Sequence, residues 1–328
     1  MTTKYTRGTF LKAATLAIAG LAFMSQANAA TILKWAHVYE SEHPYHKAAE
    51  WAADQIKART DGRVDVQVFP SSSLGKEQDI NEGLNIGSVD IIYTGAAFAE
   101  QFYGPISISN YPFMVRDYEH WKSYRDSDLF QELSAGFHQA TGNEITALSY
   151  YGQRHVTSNK PITKPADMKN LKIRVPNAPL FLMFPKAVGA NPTPMAFSEV
   201  YLALQQGVVD AQENPLPTIK AKKFHEVQSN INLTGHITIS SLTIVSNLAR
   251  HKISADDYAI VAQATKEASH RASEAINQSE RELGAWFEAQ GTKVNAVDKK
   301  AFQDAVAPAL SGDDLSFTQE QAARLKAL

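Results

Sequence analysis

The middle of the chain contains several polar side chains that are suited to binding an anion. Arg174 stands in Lys-Ile-Arg-Val-Pro-Asn at residues 172–177, Asn214 stands in Val-Asp-Ala-Gln-Glu-Asn-Pro at residues 209–215, and Arg154 precedes both. A guanidinium group donates two parallel hydrogen bonds that match the two oxygens of a carboxylate. We therefore interpret this stretch as one side of a pocket for a carboxylate. The alternative for each arginine is a solvated position on a strand.

Three further residues in the same region have a structural and a functional explanation. The amides of Asn177 and Asn214 either cap turns or donate to a ligand oxygen. Phe197 is either a core aromatic or a surface on which the carbon skeleton of a ligand packs. Residue type alone does not decide between these alternatives.

A polar loop near the amino terminus contains His37, Glu40, His43 and His46. It lacks the HExxH pattern that places two histidines and a base on one helix face, so we expect no metal there. The loop follows a predicted strand, where open α/β sheets usually bind ligands, so His37, Glu40 and the later Tyr93 are candidate contacts to ligand hydroxyls. The chain has no nucleophile elbow, phosphate-binding loop or dinucleotide fingerprint, and we expect neither a cofactor nor an enzyme. An exported hydrolase or lyase acting on sugar acids is the alternative from another class.

Length and composition predict a two-domain globular protein. The 328 residues exceed what one hydrophobic core usually supports, and 44% of them are hydrophobic. Residues 1–29 have a basic start, a short apolar run and an Ala-Asn-Ala end, which predicts a cleaved secretory signal peptide. Its removal deletes three positive charges and takes the formal charge from −2 to −5. A mildly acidic protein is not expected to bind nucleic acid, and without cysteine it has no disulfide.

The elements that must position the candidate residues alternate between strand and helix. Period-two and helical patterns predict strand, helix, strand, helix and strand at residues 32–36, 44–60, 64–68, 76–86 and 89–93. Further helices are predicted at 118–139, 180–188 and 197–205, and further strands at 145–150, 171–175, 208–211, 237–241 and 243–245. This alternation indicates an α/β fold with mostly parallel strands. A helix over 254–290 is long enough to brace two domains.

The order of these motifs resembles one family. Arg-Val-Pro-Asn at 174–177, Ser-Glu-Val-Tyr at 198–201 and Asp-Ala-Gln-Glu-Asn-Pro at 210–215 are similar to the extracytoplasmic solute-binding proteins of TRAP transporters, the DctP family. Pro-Ser-Ser-Ser-Leu-Gly at 70–75 and Lys-Phe-His-Glu-Val at 223–227 extend the similarity over the mature chain.

The resemblance implies two α/β domains with the ligand in the cleft between them and a long bracing helix. One domain would contain residues 30–151 and about 240–279, and the other residues 152–239 and about 280–328. It also implies a monomeric periplasmic receptor, without cofactor, that delivers a small organic acid to the two membrane permease subunits.

The resemblance also implies roles for single residues. Arg174 matches the family arginine that pairs with the substrate carboxylate. Arg154, Asn177, Phe197 and Asn214 match ligand contacts of the sialic-acid-binding branch. Where that branch has a glutamate and an arginine in the first domain, this chain has Gly95 and Phe98. We therefore expect a uronate or an aldonate, with sialic acid and C4-dicarboxylates as alternatives.

Overall fold

Alternation of strands and helices gives this chain one continuous mixed sheet with helices packed against it. The computed structural model describes residues 1–2, 29–312 and 315–328. Apart from its ends, the predicted signal peptide lies outside these residues. The described strands are β1 (Thr31–Ala36), β2 (Val64–Phe69), β3 (Ile91–Gly95), β4 (Glu144–Ser158), β5 (Lys172–Val175), β6 (Asn191–Pro194), β7 (Ala211–Pro215), β8 (Asn230–Val245) and β9 (Lys293–Asn295).

The sheet has two halves that are joined by its two longest strands. The strand order is β2-β1-β3-β8-β4-β7-β5-β6, and β9 pairs with β8. The first half contains β2, β1 and β3, which are parallel, and the second contains β7, β5 and β6, also parallel. The strands β4 and β8 are antiparallel to each other and pass through both halves. The predicted α/β class is confirmed, whereas the domain boundaries stay a prediction.

The helices cover the sheet and connect its strands. Their bounds are α1 (Pro44–Arg59), α2 (Glu77–Ile86), α3 (Ala96–Ala99), α4 (Tyr118–Arg125), α5 (Asp128–Thr141), α6 (Met183–Ala187), α7 (Val200–Gln205), α8 (Leu216–Ala221), α9 (Asn247–Arg250), α10 (Ala255–Ala289), α11 (Lys299–Val306) and α12 (Gln319–Ala327). The proline at the start of α1 lacks the N–H that a first helical turn leaves unbonded, and the apolar side chains of that helix are buried. No helix among the described residues is long and apolar enough to cross a membrane.

The predicted bracing helix is confirmed as α10. Its 35 residues correspond to about 52 Å. Ser254 caps it by accepting a hydrogen bond from the backbone N–H of Asp257 at 3.1 Å. The helix packs on both α1 and β4 and reaches α8 in the second half, so it contacts both halves of the sheet.

Several predicted elements differ in their bounds from the structure; among them, the helices expected at 180–188 and 197–205 begin as α-helices only at Met183 and Val200. The single helix over 118–139 is divided into α4 and α5, because Ser127 interrupts it and caps the second helix. The segments at 145–150 and at 237–245 are parts of the longer strands β4 and β8. The strand expected at 208–211 begins at Ala211; Val208 is exposed, whereas residues 211–215 are all buried.

Candidate functional site

The candidate site lies between the two halves, where the carboxyl ends of four strands meet. The strands β1 and β3 of the first half and β5 and β7 of the second half end there, as expected for a ligand crevice of an α/β protein. An inner cavity of about 30 Å³ adjoins an outer cavity of about 210 Å³. Both cavities are lined by Glu77, Phe98, Arg174 and Phe197.

Arg174 lies at the boundary of the two cavities. Its neighbours on β5, Ile173 and Val175, are fully buried apolar residues, and Arg174 itself is only 2% exposed. Its Nε and Nη2 donate to the carbonyl oxygen of Met195 at 3.0 and 2.7 Å. Its Nη1 is buried and has no hydrogen-bond partner among the described residues. Burial, together with the charge of Arg154, lowers the pKa of Arg174 to about 10 despite the opposing effect of Glu213, so the group is still a cation at neutral pH.

Arg154 contacts the inner cavity but is already paired. Its Nη2 lies 2.6 Å from Glu213 Oε1, its Nε bonds the other carboxylate oxygen, and its guanidinium lies over Phe181 at 5.0 Å. His236 Nε2 lies 3.2 Å from the same carboxylate. Burial alone would raise the pKa of Glu213, but the charge of Arg154 and the hydrogen bond from His236 outweigh it and lower that pKa to about 2. The arginine is therefore held in one orientation by a buried carboxylate.

Asn214 lies on β7 rather than in a turn, and its side chain lines the inner cavity. Its Nδ2 donates to Gln212 Oε1 at 2.6 Å, and the hydroxyl of Tyr151 donates to its Oδ1 at 3.5 Å. Tyr151 accepts in turn from the hydroxyl of Thr218 at 2.9 Å. These contacts orient the amide toward the cavity from strand positions.

Phe197 separates two cations at the edge of the site. Its ring lines both cavities, with the Arg174 guanidinium 6.0 Å and the Lys222 ammonium 5.0 Å from its centroid. The ring is only partly buried, and it packs against Phe224 at 6.3 Å. An apolar ligand surface would find here an aromatic face that is polarised by flanking positive charges.

Asn177 lies at the mouth of the outer cavity and joins the two halves. Its Nδ2 donates to Gln78 Oε1 at 2.8 Å, and Gln78 Nε2 donates back to its carbonyl oxygen at 3.2 Å. Beside this pair, Lys76 and Glu199 form an ion pair of 2.6 Å between the halves. The mouth of the cleft is therefore spanned by direct contacts between its two sides.

The structure does not bring His37, Glu40 or Tyr93 to either cavity. His37 is buried, its Nε2 lies 3.3 Å from His46 Nδ1, and burial lowers its pKa to about 3. Tyr93 belongs to the aromatic core, with its ring 4.9 Å from that of Trp35. Glu40 pairs with Lys222 at 2.6 Å and so connects the two halves behind Phe197. In the described ranges, no three histidine, aspartate or glutamate side chains converge as a metal site would require.

Sequence reasoning missed the polar contribution of the first half. The carboxylate of Glu77, in the first turn of α2, lines both cavities and accepts from the backbone N–H of Gly95 at 2.8 Å and from Thr94 Oγ1 at 3.1 Å. Burial raises the pKa of Glu77, while these hydrogen bonds and the two arginines oppose the rise. A glutamate in a first helical turn is usually explained by the helix dipole, so no sequence signal marked it. Tyr39 and Tyr151, which line the inner cavity, were also missed.

The whole arrangement pairs a cationic wall with an apolar one. The second half contributes the two arginines and Asn214, while the first half contributes the apolar Val38, Gly95 and Phe98 together with Glu77 and Tyr39. This combination suits a small molecule with a carboxylate at one end and carbon along its length.

Comparisons with known proteins bear on the family and the fold of the chain. A family model described as bacterial extracellular solute-binding protein, family 7, matches residues 35–312. A sialic acid-binding periplasmic protein of Vibrio cholerae is 33% identical over 96% of this chain and 98% of its own. A TRAP periplasmic solute-binding protein from Polaromonas, solved with D-erythronate, is 34% identical with a TM-score of 0.86, over 91% of this chain and 99% of its own. A Roseobacter denitrificans protein solved with L-galactonate is 33% identical with a TM-score of 0.84, over 90% and 97% of the two chains.

Proposed function

The chain belongs to family 7 of the bacterial extracellular solute-binding proteins, and on this premise we propose that it is the periplasmic receptor of a TRAP transporter for a hydroxylated monocarboxylic acid. The acid is an aldonate or a uronate, it binds between the two halves, and the closed complex delivers it to the membrane permease subunits. The family consists of binding proteins rather than enzymes.

One observation carries the carboxylate assignment. Arg174 is 2% exposed and its Nη1 has no partner among the described residues, although two other guanidinium nitrogens are bonded to Met195. A buried cationic donor without an acceptor is unfavourable by several kcal/mol, and an anion that accepts from it removes that unfavourable free energy. The site therefore favours a ligand oxygen that carries negative charge. A ligand carboxylate at Nη1 satisfies this donor.

The charges around the cavities favour one carboxylate over two. Arg154 is neutralised by Glu213, which leaves Arg174 as the cation facing the ligand. On the opposite wall, Glu77 presents a carboxylate that would repel a second acid group but accept from a hydroxyl. This supports a hydroxy acid and speaks against a C4-dicarboxylate.

The first-half wall also bears on the size of the ligand. Gly95 and Phe98 line the inner cavity where the sialic-acid branch has a glutamate and an arginine, and the ring of Phe98 lies 6.4 Å from that of Phe181. The solved relatives bound to D-erythronate and L-galactonate, at 34% and 33% identity, support a linear aldonate. The sialic acid-binding relative at 33% identity keeps sialic acid in the set to be tested.

Binding and closure are coupled in this proposal. A ligand shifts the equilibrium between open and closed forms only by its preference for the closed form. Contacts with Glu77 and Phe98 from the first half and with Arg174 from the second half supply that preference. We assign the halves to the domains expected from the sequence, residues 30–151 with about 240–279 and residues 152–239 with about 280–328.

A thermal-shift screen of the mature protein tests the proposed function. The panel contains D-erythronate, L-galactonate, D-glucuronate, succinate, sialic acid and a buffer control. A ligand at 100 times its dissociation constant stabilises the folded state by about 2.7 kcal/mol, which gives a clear rise in melting temperature. We expect the aldonates or the uronate to give the largest rise, followed by stoichiometric binding without product in calorimetry. A shift with sialic acid or succinate alone contradicts the ligand class, and turnover contradicts the receptor.

A further inference from the structure

The strand β4 passes from the first half into the second through a position that only glycine can occupy. Gly152 has a φ of +114°, and a Cβ there would lie 2.7 Å from Glu280 Oε1 and 2.8 Å from Pro215 Cβ. The pairing register of β4 with β8 shifts between Tyr150 and Gly152. A side chain of α10 therefore lies against β4 at one of the three register shifts of that strand.

The side chain that makes this contact is Glu280. Its Oε1 accepts from the backbone N–H of Gln153 at 2.6 Å, and its Oε2 accepts from the hydroxyl of Tyr150 at 2.7 Å. None of the ion pairs among the described residues includes it. A partly buried carboxylate without a cation is therefore held by two donors from one four-residue stretch of β4.

Several side chains of α10 form hydrogen bonds with β4, and of these Glu280 lies nearest the carboxyl end of the helix. Ser269 Oγ donates to the carbonyl oxygen of Leu148 at 2.8 Å, and Ser273 Oγ accepts from the backbone N–H of Tyr150 at 2.9 Å. These serines hold the part of β4 that belongs to the first half. Glu280 holds the crossing itself, two helical turns further on.

Fixing this crossing fixes two residues that line the inner cavity. Tyr151 follows Tyr150, and Arg154 follows Gln153, so both side chains leave the backbone beside the two anchored positions. We propose that Glu280 is a positioning residue for ligand binding, which clamps β4 so that Tyr151 and Arg154 face the cleft and the two halves keep their closed arrangement. The link to binding rests on the proposed function, whereas the link to the arrangement of the halves does not.

The two hydrogen bonds that Glu280 accepts can be distinguished experimentally from the negative charge that it carries. Burial raises the pKa of Glu280 to about 7, while the hydrogen bonds from Gln153 and Tyr150 oppose the rise. The ionisable groups that face it from β4 and α4 are Tyr150 and Tyr118, whose ring lies 4.8 Å from that of Tyr150, with Asp117 beyond. From β7, Pro215 lies beside the crossing at Gly152. On protonation, one carboxyl oxygen becomes a donor and the Tyr150 hydroxyl must turn to accept. A glutamine reproduces this form, because its oxygen accepts from Gln153 and its amide donates to Tyr150.

The test uses the whole mature protein with a spin label in each half. The chain has no cysteine, so Gln67→Cys on β2 and Gln206→Cys after α7, both exposed, give one label site per half. In this background, Glu280→Ala removes both contacts and Glu280→Gln keeps them. Glu282→Ala is the matched control, since that side chain is exposed on the same helix and bonds only Gln278.

The expected results separate positioning from simple stability. Without added acid, Glu280→Ala broadens the distribution of distances between the labels, while the glutamine variant and the control keep the wild-type distribution. For the panel aldonate that gives the largest melting shift, Glu280→Ala weakens affinity about tenfold or more and Glu280→Gln by less than about threefold. Because the protonated carboxyl keeps both contacts as the amide of Glu280→Gln does, the wild-type distribution stays the same between pH 6 and 8.

Two results would overturn the proposal. One is a wild-type distance distribution and affinity in folded Glu280→Ala. The other is an equal loss in Glu280→Gln and Glu280→Ala, since both contacts survive in the glutamine variant. If no acid of the panel binds, the proposed function fails, and the distance measurement still decides the role of Glu280.

Discussion

The two walls of the cleft are built from the same kind of strand ends but have opposite character. On the second-half wall, Arg154, Arg174 and Asn214 are each no more than 2% exposed, and each is held by hydrogen bonds that it donates to neighbouring residues. On the first-half wall, Val38, Gly95 and Phe98 are apolar, and Glu77 is the one carboxylate that faces the cavities from that side among the described residues.

This difference separates anchoring from selection. Side chains fixed by neighbours lose little entropy when a carboxylate binds, so the second-half wall is suited to hold any small acid. The first-half wall contacts the remainder of the molecule, and there a single acceptor and an aromatic ring decide which acid is preferred. Substitutions on the two walls should therefore have different signatures.

The largest effect is expected for Glu213→Gln, which breaks the structure of the anchoring wall. Loss of the carboxylate leaves Arg154 buried without its counter-charge, at a cost of about 3–5 kcal/mol in the free energy of unfolding. The folded pKa of Glu213 is depressed to about 2, so its stabilisation is present above the unfolded pKa and is lost as the pH falls toward 2. Urea denaturation from pH 7 to 3 should show the two proteins converging in acid.

The control for this substitution is Glu132→Gln, which breaks the exposed pair of Glu132 with Arg324. It should change the free energy of unfolding by about 1 kcal/mol or less. Equal effects of the two substitutions would contradict the importance of the buried pair.

Arg174→Lys should remove the anchor while keeping the charge. The ammonium cannot bond Met195 and a ligand with the same planar geometry, so affinity for the bound acid should fall by about tenfold or more in calorimetry. Lys172→Met, two residues earlier on β5 and exposed, should leave affinity unchanged. An unaltered dissociation constant in Arg174→Lys would mean that the carboxylate binds elsewhere.

Glu77→Gln should change selectivity more than affinity. The amide oxygen still accepts from Gly95 and Thr94, but the negative charge is lost and an NH₂ group, which donates, replaces the second oxygen. We expect about 1 kcal/mol weaker binding of an aldonate, from loss of a hydrogen bond to a ligand hydroxyl, and tighter binding of succinate. Calorimetry with both acids gives the ratio of their dissociation constants. If the two dissociation constants change in parallel, Glu77 does not select between the acids.

The smallest effect is expected where the two walls meet. Glu40 and Lys222 form a largely buried pair between the halves, whereas Lys76 and Glu199 are about half exposed. Double-mutant cycles with Glu40→Gln and Lys222→Met should give a coupling of about 0.5–1 kcal/mol in the free energy of ligand binding. The cycle at Lys76 and Glu199 should give a smaller coupling free energy. A larger coupling there than at Glu40 and Lys222 would mean that the contacts at the outer mouth stabilise the closed form.

Most of the fold was predictable because its patterns are local. The alternation of β1, α1, β2, α2 and β3 and the capped helix α10 follow from spacing and end signals. The strands β4 and β8 were recognised only in part, because both of their faces are buried. The alternation of apolar and polar residues in β8 is interrupted at Gly235-His236 and at Ser240-Ser241. In β4, a buried polar residue such as Ser149, which donates to Ser269 at 2.8 Å, stands where an apolar one is expected.

The candidate site was predictable where residues come in sequence motifs and unpredictable where they meet only in space. Arg174, Arg154, Asn214 and Phe197 were proposed from the second-half motifs, and the structure brings them to one cavity. Glu77 reaches Gly95 from 18 residues away, a contact that no spacing rule contains. Glu40 was predicted as a ligand contact, and the structure pairs it with Lys222 away from both cavities. Asn177 lines the outer cavity and also bonds Gln78 across the cleft, and its contact with a ligand stays a prediction.

The position of β8 in the sheet constrains how the chain reaches its folded state. Residues 230–245 lie between β3 and β4, so the first half is incomplete until more than two thirds of the chain is available for folding. Pairing of Ile91 with Val245 closes a loop of more than 150 residues, and contacts of such long sequence separation slow folding. Neither half has a contiguous sequence of its own, so neither half can complete its part of the sheet from one stretch of the chain.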